Sequence, residues 1–334
     1  MQTLSAPRFL VTRAVPGPGI ALLEAAGPTT VLETPPSYSE LSDLCASGGF
    51  EVVLTQAADR IDEELLARAA LRGVSNYAVG CDNIDVAAAA RRGIRVGNTP
   101  GVLTDPTADI ALLLMLATAR RCLEGDQLVR SGGFAGVKPD LLLGSDVSGR
   151  TLGLVGWGRI ARAVARRAFG FGMRVCFTTV HDGNRSRSPE ERTVAGGEAI
   201  QVGLDTLLAD SHFVSLHVPL SPQTRHLIDR NALAAMRPDA IVINTARGPI
   251  VDEVALVDGL RTGAIAGAGL DVYELEPALA PGLADLANVV LLPHLGSATR
   301  SVRGEMSRLA ALNALAMAAG KPPPHEVLPP VVVR

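Results

Sequence analysis

Three short segments of this 334-residue chain carry side chains that could process an oxo acid: Asn244-Thr245-Ala246-Arg247-Gly248, Asp271-Val272-Tyr273-Glu274-Leu275-Glu276-Pro277 and Pro293-His294-Leu295-Gly296-Ser297. Reducing a 2-oxo acid requires a fork of donors for carboxylate and ketone, a proton source for the developing alkoxide, and a hydride carrier. Arg247 suits the first role, His294 the second and a nicotinamide the third. A carboxylate beside His294 would favour the charged imidazolium, and Glu274 and Glu276 are both within reach on spacing alone. Each group has an ordinary alternative: a surface ion pair for Arg247, a satisfied histidine after a strand for His294, a solvated loop acid for either glutamate.

A second cluster is rich in glycine. Gly153-Leu154-Val155-Gly156-Trp157-Gly158-Arg159-Ile160-Ala161 stands between an apolar run and an Ala/Arg-rich stretch. The G-x-G-x-x-A order in a strand, turn and helix context is that of a dinucleotide-binding turn. Gly156 would make the turn, Gly158 would let backbone approach a pyrophosphate, and the Arg159 and Ile160 amides would face that anion. Trp157, the only tryptophan, reads as packing. The position some 20 residues on, where an acid would bind a ribose diol, holds Thr178 and Thr179. Beyond it lie Asp182, which would favour NAD, and Arg185 and Arg187, which would hold a 2′-phosphate. The reading leans to NADP over NAD.

These segments need a scaffold with polar groups at strand ends. Short β-type runs at 9–12, 52–55 and 94–96 alternate with helical stretches at 20–26, 63–70 and 86–92, a parallel-sheet signature. After the turn Asn98-Thr99-Pro100-Gly101 comes an apolar helix over 105–122, with Pro106 in its first turn. The alternation restarts with six strands near 152–155, 174–178, 213–217, 240–244, 266–271 and 289–292, the number in a full dinucleotide-binding sheet. A last helix over 302–319 and a Pro-rich tail are expected to return to the first domain. The domains are therefore 1–100 with 298–334, and 101–297.

Composition narrows the function classes. At 47% hydrophobic and 19% charged residues, the chain has the makings of packed cores rather than a disordered tail. Its longest apolar stretch, 110–119, is half a membrane span. A net charge of -3 supplies no basic field for nucleic acid or anionic membranes. Four scattered cysteines without C-x-x-C spacing point to reduced thiols, no zinc site and no metal. With no signal-peptide pattern at the N-terminus, the expected location is cytoplasmic.

The chain resembles the D-isomer-specific 2-hydroxyacid dehydrogenase family over almost its whole length. The resemblance rests on the glycine turn, the three segments above, Asn76-Tyr77-Ala78-Val79-Gly80-Cys81-Asp82-Asn83-Ile84-Asp85, Asn98-Thr99-Pro100-Gly101-Val102-Leu103-Thr104, and Leu216-His217-Val218-Pro219-Leu220. The separations of 29 residues from Arg247 to Glu276 and 18 from Glu276 to His294 also match the family's catalytic spacing. Within the family it is most similar to glyoxylate and hydroxypyruvate reductases. The resemblance implies a flavodoxin-like substrate domain and a Rossmann NAD(P)-binding domain, both doubly wound parallel sheets. It implies that Arg247 clamps the substrate, His294 is the acid in reduction, and Glu276, followed by Pro277 as in the family, orients it, leaving Glu274 solvated. The Val79 and Gly80 amides would hold the substrate carboxylate from the other domain, so the site would form where the domains face each other. Thr104 would meet the cofactor phosphates, Pro219 would border the adenosine, Ala246 and Asp271 would bind the carboxamide, and His217, His294 and Gly296 would also stand beside the cofactor. For Thr104, a helix N-cap is the competing role.

One departure bears on the substrate. Related reductases commonly carry a tryptophan near Val137 in the loop Gly132-Gly133-Phe134-Ala135-Gly136-Val137, so a bulkier 2-hydroxy acid is an alternative substrate. The region around His181 also looks longer than usual. Formate oxidation would leave a Glu276–His294 pair idle, phosphite oxidation goes with a lysine where Val79 stands, and 40 residues after His294 leave no room for a regulatory domain of the phosphoglycerate dehydrogenase type. A nucleotide-sensing binding protein of the same fold is the rival from another class. The expected protein is an NAD(P)-dependent reductase of a small 2-oxo acid, acting as a homodimer; the apolar helix after Asp105 is the candidate surface, with internal packing as its alternative role.

Overall fold

The computed structural model describes residues 6–180 and 185–329. The chain forms two compact units: one runs to Leu103 and resumes at Ala298, and the other is Thr104–Ser297. The break falls three residues beyond Gly101-side turn position Pro100, at the start of the long apolar helix.

In the first unit, β1 (Phe9–Val11), β2 (Thr29–Val31), β3 (Val52–Thr55), β4 (Gly73–Asn76) and β5 (Arg95–Gly97) pair in the order β2-β1-β3-β4-β5, all parallel. That is the flavodoxin-like order. Strands buried on both faces read as apolar runs rather than alternations, and β1 and β3 are wholly buried. The helix Arg300–Ala318 covers one face, with Met306, Ala310, Ala314 and Met317 packed into the core of Phe9, Val11, Val52 and Leu54. Beyond it the chain returns to the sheet edge, where the Val327 amide donates to the Val96 carbonyl at 2.8 Å.

The second unit holds β6 (Thr151–Val155), β7 (Arg174–Thr178), a small antiparallel hairpin of β8 (Thr193–Val194) and β9 (Gly197–Glu198), then β10 (Ile200–Gln201), β11 (Phe213–Leu216), β12 (Ile241–Asn244), β13 (Gly267–Leu270) and β14 (Val289–Leu291). The main sheet is parallel in the order β10-β7-β6-β11-β12-β13-β14. It has seven strands rather than the six expected, because the two-residue β10 adds an edge. The order reverses between β6 and β11, the place where open α/β sheets bind ligands at the strands' carboxyl ends.

The helix Thr104–Ala119 is apolar over most of its surface because it lies largely in a core, with Asp105 and Asp109 on its exposed side paired to Arg166 and Arg167. Ala108, Ala111, Leu114 and Met115 are buried in the cluster that includes Leu152, Leu154, Ile241 and Ile243. Most of its apolar side chains are spent inside its own unit, although Leu113 is 49% exposed. Further exposed apolar side chains lie just after it: the helix Cys122–Arg130 buries none of its residues, and Leu123, Val129, Phe134, Val137 and Leu143 are exposed.

Candidate active site

The glycine turn leaves β6 at Gly156, whose φ is +105° and whose Cβ, if it had one, would lie 2.6 Å from the His217 carbonyl oxygen. Only glycine fits there. The Gly156 amide donates to Thr178 O at 2.9 Å. Gly158 then caps the helix Arg159–Gly170 without any side-chain hydrogen bond, and the space its Cβ would fill is open. First-turn amides with no intrahelical acceptor, opposite an open glycine, form a cradle that fits a pyrophosphate. Ala161 is fully buried, allowing close helix-to-sheet packing. Trp157 packs as expected, stacked on Phe177 with ring centres 4.2 Å apart, and its indole N–H also donates to the Glu191 carbonyl at 2.8 Å.

At the ribose end, Arg185 Nη2 lies 2.6 Å and Arg187 Nη1 3.4 Å from Glu191 Oε1. Asp182 and His181 fall outside the described residues. After β11, His217 Nε2 is 2.8 Å from Ser215 Oγ. Part of the His217 surface is open, yet protein packs around the ring closely enough that burial pushes its pKa down to about 3, so it is a neutral imidazole at working pH. The Pro219 carbonyl accepts from Thr224 Oγ1 at 2.7 Å, shaping the exposed turn that follows.

The candidate acid–base groups rest on three loops at the carboxyl ends of β12, β13 and β14. His294 has φ +56°, and its Nδ1 is 3.0 Å from Glu276 Oε2. Burial works to raise the Glu276 pKa, but the hydrogen bond and charge of His294, the Tyr273 amide and the Arg247 charge outweigh it and hold it below the usual carboxylate range. The electrostatics thus join Arg247, Glu276 and His294. Asp271 is buried at the end of β13, and its two oxygens accept the amides of Leu295 (2.6 Å) and Gly296 (2.7 Å). Burial pushes its carboxyl above the ordinary value, with those two amides and His294 pulling it back. Thr107 Oγ1 donates to the Gly296 carbonyl at 3.1 Å. Thr104 is the first residue of that same helix.

Several supports were not evident from the sequence. Asn244, buried at the end of β12, accepts the Ala246 amide at 3.0 Å and donates to the Arg247 carbonyl at 2.8 Å, fixing the turn that carries both. Glu253, 3% exposed, accepts the amides of Glu274 (2.7 Å) and Ala280 (3.2 Å), bracing the Glu276 loop on both sides. An acid in a helix's first turn usually complements the helix dipole, so spacing alone does not single it out. Glu274 is not a solvated acid: its carboxylate pairs with His226 Nε2 at 2.6 Å and Arg225 Nη2 at 3.0 Å. In the first unit, the Val79 and Gly80 carbonyls accept the side-chain amides of Asn98 (2.7 Å) and Asn76 (2.8 Å). Among the described residues no cysteine is in a disulfide, no cluster could hold a metal ion, and no helix is long and apolar enough to cross a membrane.

Residues 112–296 match the family described as D-isomer specific 2-hydroxyacid dehydrogenase, NAD binding domain. The chain is 45% identical over 326 residues to a glyoxylate reductase of Thermococcus litoralis, covering 96% of each sequence. Among solved structures, it is similar to a glyoxylate reductase from Paecilomyes thermophila, with a TM-score of 0.86 and 31% identity over 97% of this chain and 99% of that one. It is likewise similar to an NADPH-dependent glyoxylate/hydroxypyruvate reductase from Sinorhizobium meliloti solved with NADP and malonate (TM-score 0.83, 33% identity, 97% of both chains). A nucleotide-binding sheet with a carboxylate–histidine pair at its strand ends, and relatives this similar over nearly their full length, lead to one conclusion: the chain belongs to the D-isomer specific 2-hydroxyacid dehydrogenase family of oxidoreductases.

Proposed function

We propose that this protein reduces glyoxylate, hydroxypyruvate or a similarly small 2-oxo acid with NADPH or NADH, in the cytoplasm and as a homodimer. The observation that carries the reading is the 3.0 Å His294–Glu276 pair, placed under the charge of Arg247 at the strand ends of the unit that holds the glycine turn. Bound nicotinamide supplies the hydride. Arg247 binds the carboxylate and polarises the ketone oxygen, where its guanidinium stabilises developing negative charge. With Nδ1 engaged by Glu276, His294 gives up its proton from Nε2 to the substrate oxygen. Glu276 fixes the ring's orientation and balances the imidazolium before transfer.

The remaining assignments belong to the same proposal. Val79 and Gly80, with their carbonyls already held by asparagines, offer amides to the substrate carboxylate. Gly156, Gly158, Arg159 and Ile160 hold the pyrophosphate, with Thr104 beside it. His217 and Pro219 border the adenosine, and Arg185 and Arg187 take a 2′-phosphate, which favours NADP. Ala246, Gly296 and Asp271 serve the carboxamide. A carboxylate has about four acceptor sites, so Asp271 retains capacity beyond its two loop amides. Val137, 92% exposed, leaves room for a larger acid than the relatives' names suggest.

The test is loss of reduced-nicotinamide absorbance with glyoxylate, hydroxypyruvate and pyruvate, each with NADPH and NADH. Turnover with glyoxylate or hydroxypyruvate is expected. Nucleotide binding without turnover on any oxo acid would instead assign the chain to nucleotide sensing.

A further inference from the structure

The ribose end of the second unit holds a built network that the reduction itself does not use. Gln201, on edge strand β10, accepts the Arg187 amide through Oε1 and donates through Nε2 to the Arg185 carbonyl, both at 2.8 Å. The two arginines are thus pinned by their backbones to the sheet. Their side chains meet on one carboxylate oxygen, Glu191 Oε1, at 2.6 Å and 3.4 Å. Glu191 is itself held three ways. Its Oε2 accepts the Ser188 amide at 2.9 Å in a capping box, its backbone amide donates to Ser188 Oγ, and its carbonyl accepts the Trp157 indole N–H at 2.8 Å. Trp157 stands between the two glycines of the phosphate turn and is stacked on Phe177, so the carboxylate is anchored to the turn that would cradle the pyrophosphate.

We propose that Glu191 is a specificity-determining residue: it serves as an internal counter-anion for Arg185 and Arg187 and so blunts the preference for NADPH over NADH. The inference rests on the reading that these arginines take the 2′-phosphate. A phosphate monoester brings close to two negative charges to guanidiniums whose positive charge Glu191 already offsets, through one nitrogen of each. It must sit beside the carboxylate or displace it, and two anions side by side repel. NADH presents a hydroxyl at that position and meets no such competition. The Ser188 amide, then the Arg185 hydrogen bond, hold the Glu191 pKa down at about 2, so the competing charge is present throughout the neutral range. The arginines therefore contribute less discrimination than two unopposed guanidiniums would.

The test is calorimetric titration of NADPH and NADH into the whole protein, with quenching of Trp157, the sole tryptophan, as a second readout. Glu191→Gln keeps a side chain that a capping box accepts and removes the charge. The ratio Kd(NADH)/Kd(NADPH) is expected to rise about three- to fivefold, the scale of one or two exposed ion pairs. Glu191→Ala should move it in the same direction. An unchanged ratio overturns the proposal, and so does a falling one, which would make Glu191 an aid to phosphate binding. Arg185→Gln with Arg187→Gln separates the two ideas, since selective weakening of NADPH supports the arginine reading independently of Glu191. No change in that double variant would remove the arginine reading and the inference with it. In the double-variant background Glu191→Gln should leave the ratio where it is, and a rise there would show that Glu191 acts through some other group.

Discussion

The acid–base roles proposed for His294 and Glu276 can be measured separately. His294→Ala should lower kcat by about 10²- to 10⁴-fold, the usual scale of a positioned proton donor, while NADPH titrations still show binding. An equal loss of nucleotide affinity would place the residue in the binding site alone. Glu276→Gln removes the carboxylate 3.0 Å from His294 Nδ1, so kcat should fall while nucleotide affinity stays unchanged; an unaltered kcat would remove Glu276 from the mechanism. His217 yields a stability prediction. Its pKa falls from an ordinary 6.5 to about 3 on folding, so between those values the unfolded chain binds the proton and the native state does not. Stability is therefore undiminished above pH ~6.5 and declines as pH drops towards ~3, by at most about 1.4 kcal/mol per pH unit. His217→Gln should flatten that part of a denaturation series run from pH ~7 to ~4. The positions of Arg247 and His294 just beyond strand ends were legible in the sequence because each comes three residues after an apolar strand. Glu274 was misread because its partners, Arg225 and His226, lie 49 and 48 residues away, where no local pattern points.

At the scale of elements, the active groups depend on loops locked to one another by close backbone approach and buried acceptors. A Cβ at Gly248 would fall 1.8 Å from the Tyr273 carbonyl carbon, so Gly248→Ala must push the Arg247 turn and the Glu276 loop apart. Such overpacking costs about 1–3 kcal/mol. We expect a lower melting temperature together with a loss in kcat/KM larger than the stability change explains, because the two side chains proposed for substrate binding and histidine orientation shift at once. Glu253→Ala strips the Glu274 and Ala280 amides of their buried acceptor, at about 1–3 kcal/mol for each group left unpaired. Hydrogen exchange should then quicken across residues 273–280 before it does elsewhere in the sheet. The strands that carry these loops were readable because a parallel strand buried on both faces is a short apolar run. Those that escaped had too little signal. β4, Gly73-Val74-Ser75-Asn76, has one large apolar residue, and β10 has two residues in all. The helix Tyr38–Ala46 did carry a signal, since Ser37 and Glu40 form a capping box at its start, but its mixed polar face hides the helical period.

For the whole molecule, the open question of assembly turns on where apolar surface remains. The helix Thr104–Ala119 spends most of its apolar side chains on its own core and exposes Leu113 alone among its large ones, while the helix Cys122–Arg130 has no buried residue and exposes Leu123 at 50% and Val129 at 61%. Phe134, Val137 and Leu143 continue that exposed run through the following loop. Single exposed apolar residues need no explanation, but a contiguous set on one segment marks an interaction surface. A net charge of only -3 gives little repulsion to keep two such surfaces apart. Light scattering at micromolar concentration should accordingly report a dimer. Placing charges on the segment with Leu123→Asp and Val129→Asp should convert it to monomer without altering the far-ultraviolet dichroism, because neither side chain supports its own core. If the double variant stays dimeric, the contact lies on another face, and the exposed segment must be explained by the solvent it already meets.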